Sequence, residues 1–226
     1  MTDAPVVAID GPSGSGKGTI SAMVASELGW HYLDSGAIYR VLGYLAYTND
    51  VAFDDEPGLV SLAKELDMSF VDGNVLLNGE VVGDVIRTEE AGKRASMVSP
   101  IPAVRETLLV WQRSQARMPG LVADGRDMGT VVFPTANCKI FLTAGAQARA
   151  ERRFKQLRDK GFNVNIAQLF DEITERDERD ATRKVSPLKP ADDAIVLDTT
   201  NLPIKDVVSR VMTEVKLGLY EKSSGS

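Results

Sequence analysis

The chain has 226 residues, 43% of them hydrophobic, enough for one large α/β domain with a sizeable core and too many for wholesale disorder. A net charge of −6 and a pI near 5.0 exclude the broad basic face of a general nucleic-acid or membrane-surface binder. The single cysteine, Cys138, allows no internal disulfide and suits a reducing compartment, and the lone His31 leaves no zinc site or histidine triad to expect.

The N-terminus has no basic start and too short an apolar run for a signal peptide, and no stretch approaches the ~20 apolar residues of a membrane span. A cytoplasmic protein is expected, with a frayed SSGS tail. Pro5-Val6-Val7-Ala8-Ile9-Asp10 reads as a strand. It runs into Gly11-Pro12-Ser13-Gly14-Ser15-Gly16-Lys17-Gly18-Thr19, after which Gly18 to Leu28 reads as a helix. Strand, loop and helix in this order are the setting of a phosphate-binding loop, G-x-x-x-x-G-K-[ST]. Gly11, Gly16 and Lys17 fit it, but the slot after the lysine, where a hydroxyl meets magnesium, holds Gly18. Thr19 comes one residue late. The loop's chemistry survives the change, because it rests on backbone N–H groups and a helix N-terminus aimed at anionic oxygens. Glycines let the backbone close around those oxygens, Lys17 adds a mobile cation, and Thr19 can face Mg2+ or its water shell from the next position.

Ser35 to Tyr47 has helical spacing, capped by Asp34 or Ser35, and Gly58 to Leu66 reads as another helix. The period then changes to short strands at 69–71, 75–77 and 80–82, joined by turns at Asp72-Gly73-Asn74 and Asn78-Gly79. Thr88 to Val98 and Pro102 to Arg117 return to helix. A hairpin among helices reads as an insertion, spanning about 35–118, within one main domain. Strand runs at Leu121–Asp124, Lys139–Thr143 and Ala194–Asp198 alternate with helices at 146–160, 165–183 and 203–221. The pattern predicts a three-layer α/β/α domain around a central parallel sheet, with Cys138 as a buried thiol.

Three arginine-bearing segments stand out in this acidic chain. Asp124-Gly125-Arg126-Asp127 directly follows a strand, at the end where open α/β sheets place ligands, and Asp127 as a helix N-cap is the structural alternative. Arg149, Arg152 and Arg153 share one face of the 146–160 helix, with Arg158 beyond. Such a cluster repels itself until an anion arrives, though a solvated face remains the alternative for at least one of them. Arg176, Asp180 and Arg183 fall at i, i+4 and i+7, which on spacing alone is also a surface charge ladder. Arginine's planar fork grips a phosphate through two hydrogen bonds. Phosphoryl transfer needs in-line positioning and positive charge, and a phosphate acceptor needs no general base.

The form GxxGxGKGT resembles the nucleoside monophosphate kinases. The segments DSGAIYR (34–40), DGRDMGT (124–130) and ERDERDATR (175–183), with the hairpin insertion before Thr88, look like the bacterial cytidylate kinases. The resemblance runs from Val6 to about Val211. It implies a P-loop kinase fold, ATP with Mg2+ as donor and CMP or dCMP as acceptor. It puts Lys17, Arg40, Arg126 and Arg176 in catalysis, the three arginines on the acceptor phosphate. Ser35 and Asp180 go to the sugar, and Ser96, Arg105, Asp127 and Arg183 to the cytosine ring, with Asp124 in the same acceptor cluster. The loop from Gly11 to Thr19, with Arg149 and Arg152, goes to ATP, Thr19 to the metal, and 146–163 becomes a short helical lid. Tyr39 is taken as packing. A monomer with no nucleic-acid or membrane partner is expected. The rival readings are a kinase for another small acceptor, such as UMP or shikimate, and a nucleotide-binding switch. A shikimate-type enzyme does not need the long insertion, and a guanine-reading switch usually carries an N-K-x-D string, which this chain lacks.

Overall fold

Strand β1 (Val6–Asp10) is buried along its whole length, and its alternate residues feed two cores. Val6 and Ala8 join Leu33, Ala123, Ile38, Leu42 and Leu108 on one face, while Val7 and Ile9 join Ile20, Val24, Ile140, Leu142 and Val211 on the other. A strand covered on both sides is why this stretch reads as an unbroken apolar run. The computed structural model describes residues 4–71, 73–159 and 161–224. Asp72 of the predicted turn, Lys160 of the predicted lid, the first three residues and the end of the SSGS tail lie outside the described residues.

After β1 come α1 (Lys17–Leu28), β2 (His31–Asp34), α2 (Ser35–Thr48) and α3 (Glu56–Lys64). Short strands β3 (Met68–Val71), β4 (Asn74–Leu77) and β5 (Glu80–Val81) pair antiparallel, as the turn chemistry predicts. Helices α4 (Gly83–Ile86), α5 (Glu89–Val98) and α6 (Pro102–Ser114) follow. The chain then returns through β6 (Leu121–Gly125), a π-helical turn (Met128–Val132), β7 (Cys138–Thr143), α7 (Ala146–Asp159), α8 (Ile166–Ala181), β8 (Ile195–Asp198) and α9 (Ile204–Ser224). The main sheet is parallel in the order β2-β6-β1-β7-β8, covered by helices on both faces. This is the expected three-layer P-loop α/β/α fold. No helix among the described residues is long and apolar enough to cross a membrane.

Local chemistry sets several boundaries. Asp34 caps α2, its Oδ1 accepting from the Ala37 N–H at 3.0 Å, so the cap is Asp34 and not Ser35. Thr88 likewise caps α5 by accepting from the Ala91 N–H at 3.1 Å. Three elements depart from the sequence reading. Strand β2 was not expected, because His31, Tyr32 and Asp34 leave it one fully buried apolar residue, Leu33. Its pairing with β6, from His31 beside Leu121 to Asp34 beside Asp124, makes it a strand. The brief α4 and the π-helical turn were also unforeseen, and Arg183 lies just past the end of α8 instead of within it. Cys138 is buried and free, its thiol pushed up to about 12 by burial and by Glu214.

Candidate active site

Parallel order collects carboxylates at one edge. The C-terminal ends of β1, β2 and β6 bring Asp10, Asp34 and Asp124 there, beside the loop that leaves β1. That loop is shaped by contacts only glycine permits. A Cβ on Gly11 would lie 2.1 Å from the Leu142 carbonyl oxygen of the neighbouring strand, while Gly14 and Gly16 hold φ of +75° and +91°. Lys17 Nζ donates to the Pro12 carbonyl at 3.2 Å, folding the lysine back over the loop. The missing hydroxyl has a steric reason: a Cβ on Gly18 would stand 3.2 Å from Asp124 Oδ2 and 3.7 Å from the Tyr32 hydroxyl. The start of α1 is pressed against the end of β6, where Tyr32 donates to Asp124 Oδ2 at 3.2 Å. Thr19, one residue on, is exposed and lines open space.

Two adjoining cavities open here, of about 230 and 790 Å³, and they meet at Ser13, Lys17, Gly18, Arg40, Ser96 and Arg176. Ser35, Arg40, Ser96, Arg105, Asp124, Arg126, Asp127, Arg176 and Arg183 all line the smaller one. Asp180 stands behind its wall, accepting from Arg126 Nε at 2.8 Å and pairing with Arg183. The ladder of the sequence reading is thus folded inward: Asp180 is 2% exposed and each of its oxygens meets a different arginine. The larger cavity runs along loop residues Ser13 to Thr19 and past Arg152. Gly11 and Pro12 shape the loop from behind.

Charge in this cleft is out of balance. Burial, then the neighbouring Arg126, lowers Arg176 to about 10, and burial also depresses Arg40. Lys17 is lowered by burial and by Arg126 and Arg176, against the pull of Asp124. Asp124 is raised by burial and by the Asp34 carboxylate. Burial would raise Asp180 as well, but Arg126 and Arg183 outweigh it and hold it below the usual carboxylate range. Among the described residues, the buried Arg176 Nε finds no hydrogen-bond partner, nor does Ser15 Oγ in the loop. Crowded guanidinium groups with donors to spare make a site short of anions.

Asp127 accepts from Arg105, which also donates to the Ser99 carbonyl at 3.1 Å and lies 5.7 Å from the Tyr39 ring centre. Asp127 makes no side-chain cap to the π-helical turn, so the N-cap alternative fails. Tyr39 packs as expected and also lines the smaller cavity. Arg40 donates to the Ile86 and Thr88 carbonyls at 2.8 and 3.1 Å, tying α2 to the start of α5.

The expectation of mutually repelling, anion-hungry arginines on the 146–160 helix is corrected. Arg149 is 4% exposed, donates to the Ala144 and Ser13 carbonyls at 2.8 and 2.9 Å, and pairs with Asp177. It braces the loop from behind and lines neither cavity. Arg152 reaches the Ser15 carbonyl at 3.4 Å and the Thr199 hydroxyl at 3.2 Å while still facing the larger cavity. Arg153 pairs with Glu89, and both line that cavity. Sequence reasoning missed Asp10, Tyr32, Asp177 and Thr199. Only Asp10 left a trace, an acid closing an otherwise apolar strand.

A P-loop ending a central parallel strand, an arginine-lined cavity beside it and a second cavity along the loop define a P-loop kinase of the α/β/α class. A cytidylate kinase family model matches residues 7–217. The chain is 56% identical over 221 residues to a cytidylate kinase of Shewanella denitrificans, covering 95% of this chain and 97% of the relative. It is 54% identical over 225 residues to a cytidylate kinase of Aeromonas salmonicida, covering 98% of each. The protein belongs to the cytidylate kinase family. An uncharacterized protein from Eubacterium ventriosum shares the fold, with a TM-score of 0.52 at 12% identity over 95% of this chain and 99% of that one.

Proposed function

We propose that the protein transfers the γ-phosphate of ATP to CMP or dCMP, giving ADP and CDP or dCDP. The observation that carries this reading is the junction of the two cavities, where Lys17, Arg40 and Arg176 stand between a loop suited to a triphosphate and a pocket suited to a nucleoside monophosphate. Arg40, Arg126 and Arg176 grip the acceptor phosphate and, with Lys17, neutralise charge on the group in flight. Ser35 takes the sugar, and Asp180 supports that side of the pocket from behind through Arg126 and Arg183. Ser96, Arg105, Asp127 and Arg183 take the base, with Asp124 beside them. ATP lies along residues 11–19 with Arg152, and Arg149 supports it through the loop.

Mg2+ fits this donor set in one way. Among the described residues no group of three or more His, Cys, Asp or Glu side chains is able to hold a metal ion. The Thr19 hydroxyl, directly or through water, would be the protein's contribution to holding the ion, with the nucleotide's phosphate oxygens supplying the other ligands. Residues 35–118 form the monophosphate-binding insertion and 146–163 the lid, in a monomeric cytoplasmic enzyme without nucleic-acid partners.

Incubation with ATP, Mg2+ and each nucleoside monophosphate in turn tests the reading, and phosphorylation of CMP and dCMP ahead of UMP, AMP and GMP is expected. Lys17→Ala removes a charge worth roughly 3–4 kcal/mol in the transition state and is expected to leave well under a tenth of the turnover with an unchanged melting curve. A variant that keeps more than that refutes the role given to Lys17.

A further inference from the structure

The DGRD side chains Arg126 and Asp127, which line the smaller cavity with Asp124, are tied to Asp180 and Arg105, and the backbone on either side of them is anchored by Asp10. At one end, Asp10 pairs with Gly125 in the β1–β6 ladder. At the other, its carboxylate accepts from the Met128 N–H through Oδ1 and from the Gly129 N–H through Oδ2, both at 2.8 Å. The side chain is 5% exposed and the next residue is Gly11, the first of the phosphate loop. Asp10 lines neither cavity.

We infer that Asp10 is a positioning residue: its two-oxygen grip on the Met128 and Gly129 amides holds Arg126 and Asp127 in register with the phosphate loop, and so sets acceptor binding and base discrimination. The assignment rests on the functional reading above. A carboxylate suits this task because both of its oxygens accept, whereas an amide of the same shape offers one acceptor and one donor. With Asn in place, one of the two buried N–H groups loses its partner. The stretch between Gly125 and Met128 then keeps only the ties from Asp180, Arg105 and the Val131 and Val132 amides, which lets it shift. A shift of about 1 Å is enough to spoil alignment at a reacting centre.

Steady-state kinetics on the wild-type protein and Asp10→Asn, with CMP, UMP and ATP varied separately, test this. For Asp10→Asn the KM for CMP is expected to rise on the order of tenfold, with the CMP-to-UMP ratio of kcat/KM narrowing. The KM for ATP should change by less than about twofold, since the loop's own contacts are untouched. Equal losses with both acceptors at an unchanged CMP KM, or a matching rise in the ATP KM, overturn the inference. If Asp10→Asn does not fold, amide exchange in the wild-type protein decides. CMP should slow exchange at Met128 and Gly129 beyond the slowing in β1, and equal slowing in both overturns the assignment. A wild-type protein that phosphorylates no CMP overturns the functional reading, and this inference with it.

Discussion

Asp127, when ionised, accepts and cannot donate, whereas Arg183 donates and cannot accept. Cytosine offers an amino group at N4 and a bare N3, and uracil reverses both, so this pair favours cytosine. Arg105 holds the carboxylate in place, which suits the reading role proposed for Asp127. Each buried mismatch costs roughly 1–3 kcal/mol, so the proposed base contacts should disfavour UMP by ten- to many-hundredfold. Asp127→Asn is therefore expected to lower kcat/KM for CMP more than for UMP. Kinetics on both acceptors at saturating ATP check it, and a constant ratio would move base reading elsewhere. Asp10 carries a second expectation, in pH. Burial raises its carboxyl to about 6 from an ordinary 3.8, against the lowering effect of the Gly129 and Met128 hydrogen bonds. A raised acid contributes stability that is complete below its unfolded pKa and lost as pH rises through the folded one. Between pH 4 and 7 this single group should cost the ligand-free protein up to about 3 kcal/mol. Melting curves of Asp10→Asn should accordingly fall less steeply over that window than those of the wild type, and parallel slopes would contradict the assignment.

Helices α2 and α5 show how an element positions chemistry. They cross where Gly43 faces Arg94 and Ala95, and a Cβ on Gly43 would lie 2.9 Å from Arg94 Cβ and 3.2 Å from the Ala95 N atom. Gly43→Ala should force the helices apart at a cost of about 1–3 kcal/mol, lowering Tm. Because α5 carries Ser96 and α2 carries Arg40, the KM for CMP should rise with it, and an unchanged Tm would show that the crossing has slack. Gly43 was invisible in the sequence, a small residue in a helical run, because its meaning lies in a helix some fifty positions away. The same holds for β2, whose four residues become a strand only through β6, and for Arg149, whose partners Ser13 and Asp177 come from two other elements. What was legible carried its own local signal. The phosphate loop has glycine spacing, the β3–β5 sheet has Asn-Gly turn chemistry, and β1, β6 and β7 have apolar runs too dense for anything but a buried strand. The acceptor roles proposed for Arg176, Asp180 and Arg183 come from resemblance, and spacing alone leaves these residues as readily on the surface.

At the scale of the molecule, the larger cavity is lined by residues of α7, the proposed lid, and of α5, within the proposed insertion, and Arg153 and Glu89 pair between them. Their side chains are 33% and 54% exposed, so solvent and salt weaken the pair, and it can hold the two sides together only loosely. Nucleotides change this balance. In the proposed binding mode, triphosphate beside Arg152 and an acceptor phosphate among Arg40, Arg126 and Arg176 would give both sides a common anionic partner in a site now short of one. Closure also has a chemical purpose, because water admitted to the cleft would compete with CMP for the γ-phosphoryl group. A bisubstrate analogue that joins ATP to CMP should therefore slow hydrogen exchange across 146–163 and 35–118 and reduce the radius of gyration in small-angle scattering. ATP or CMP alone should give only part of the effect. Arg153→Ala should leave closure by the analogue intact, since the nucleotides and not this pair drive it. Profiles that do not change with the analogue would mean that the cleft is rigid and excludes water by shape alone.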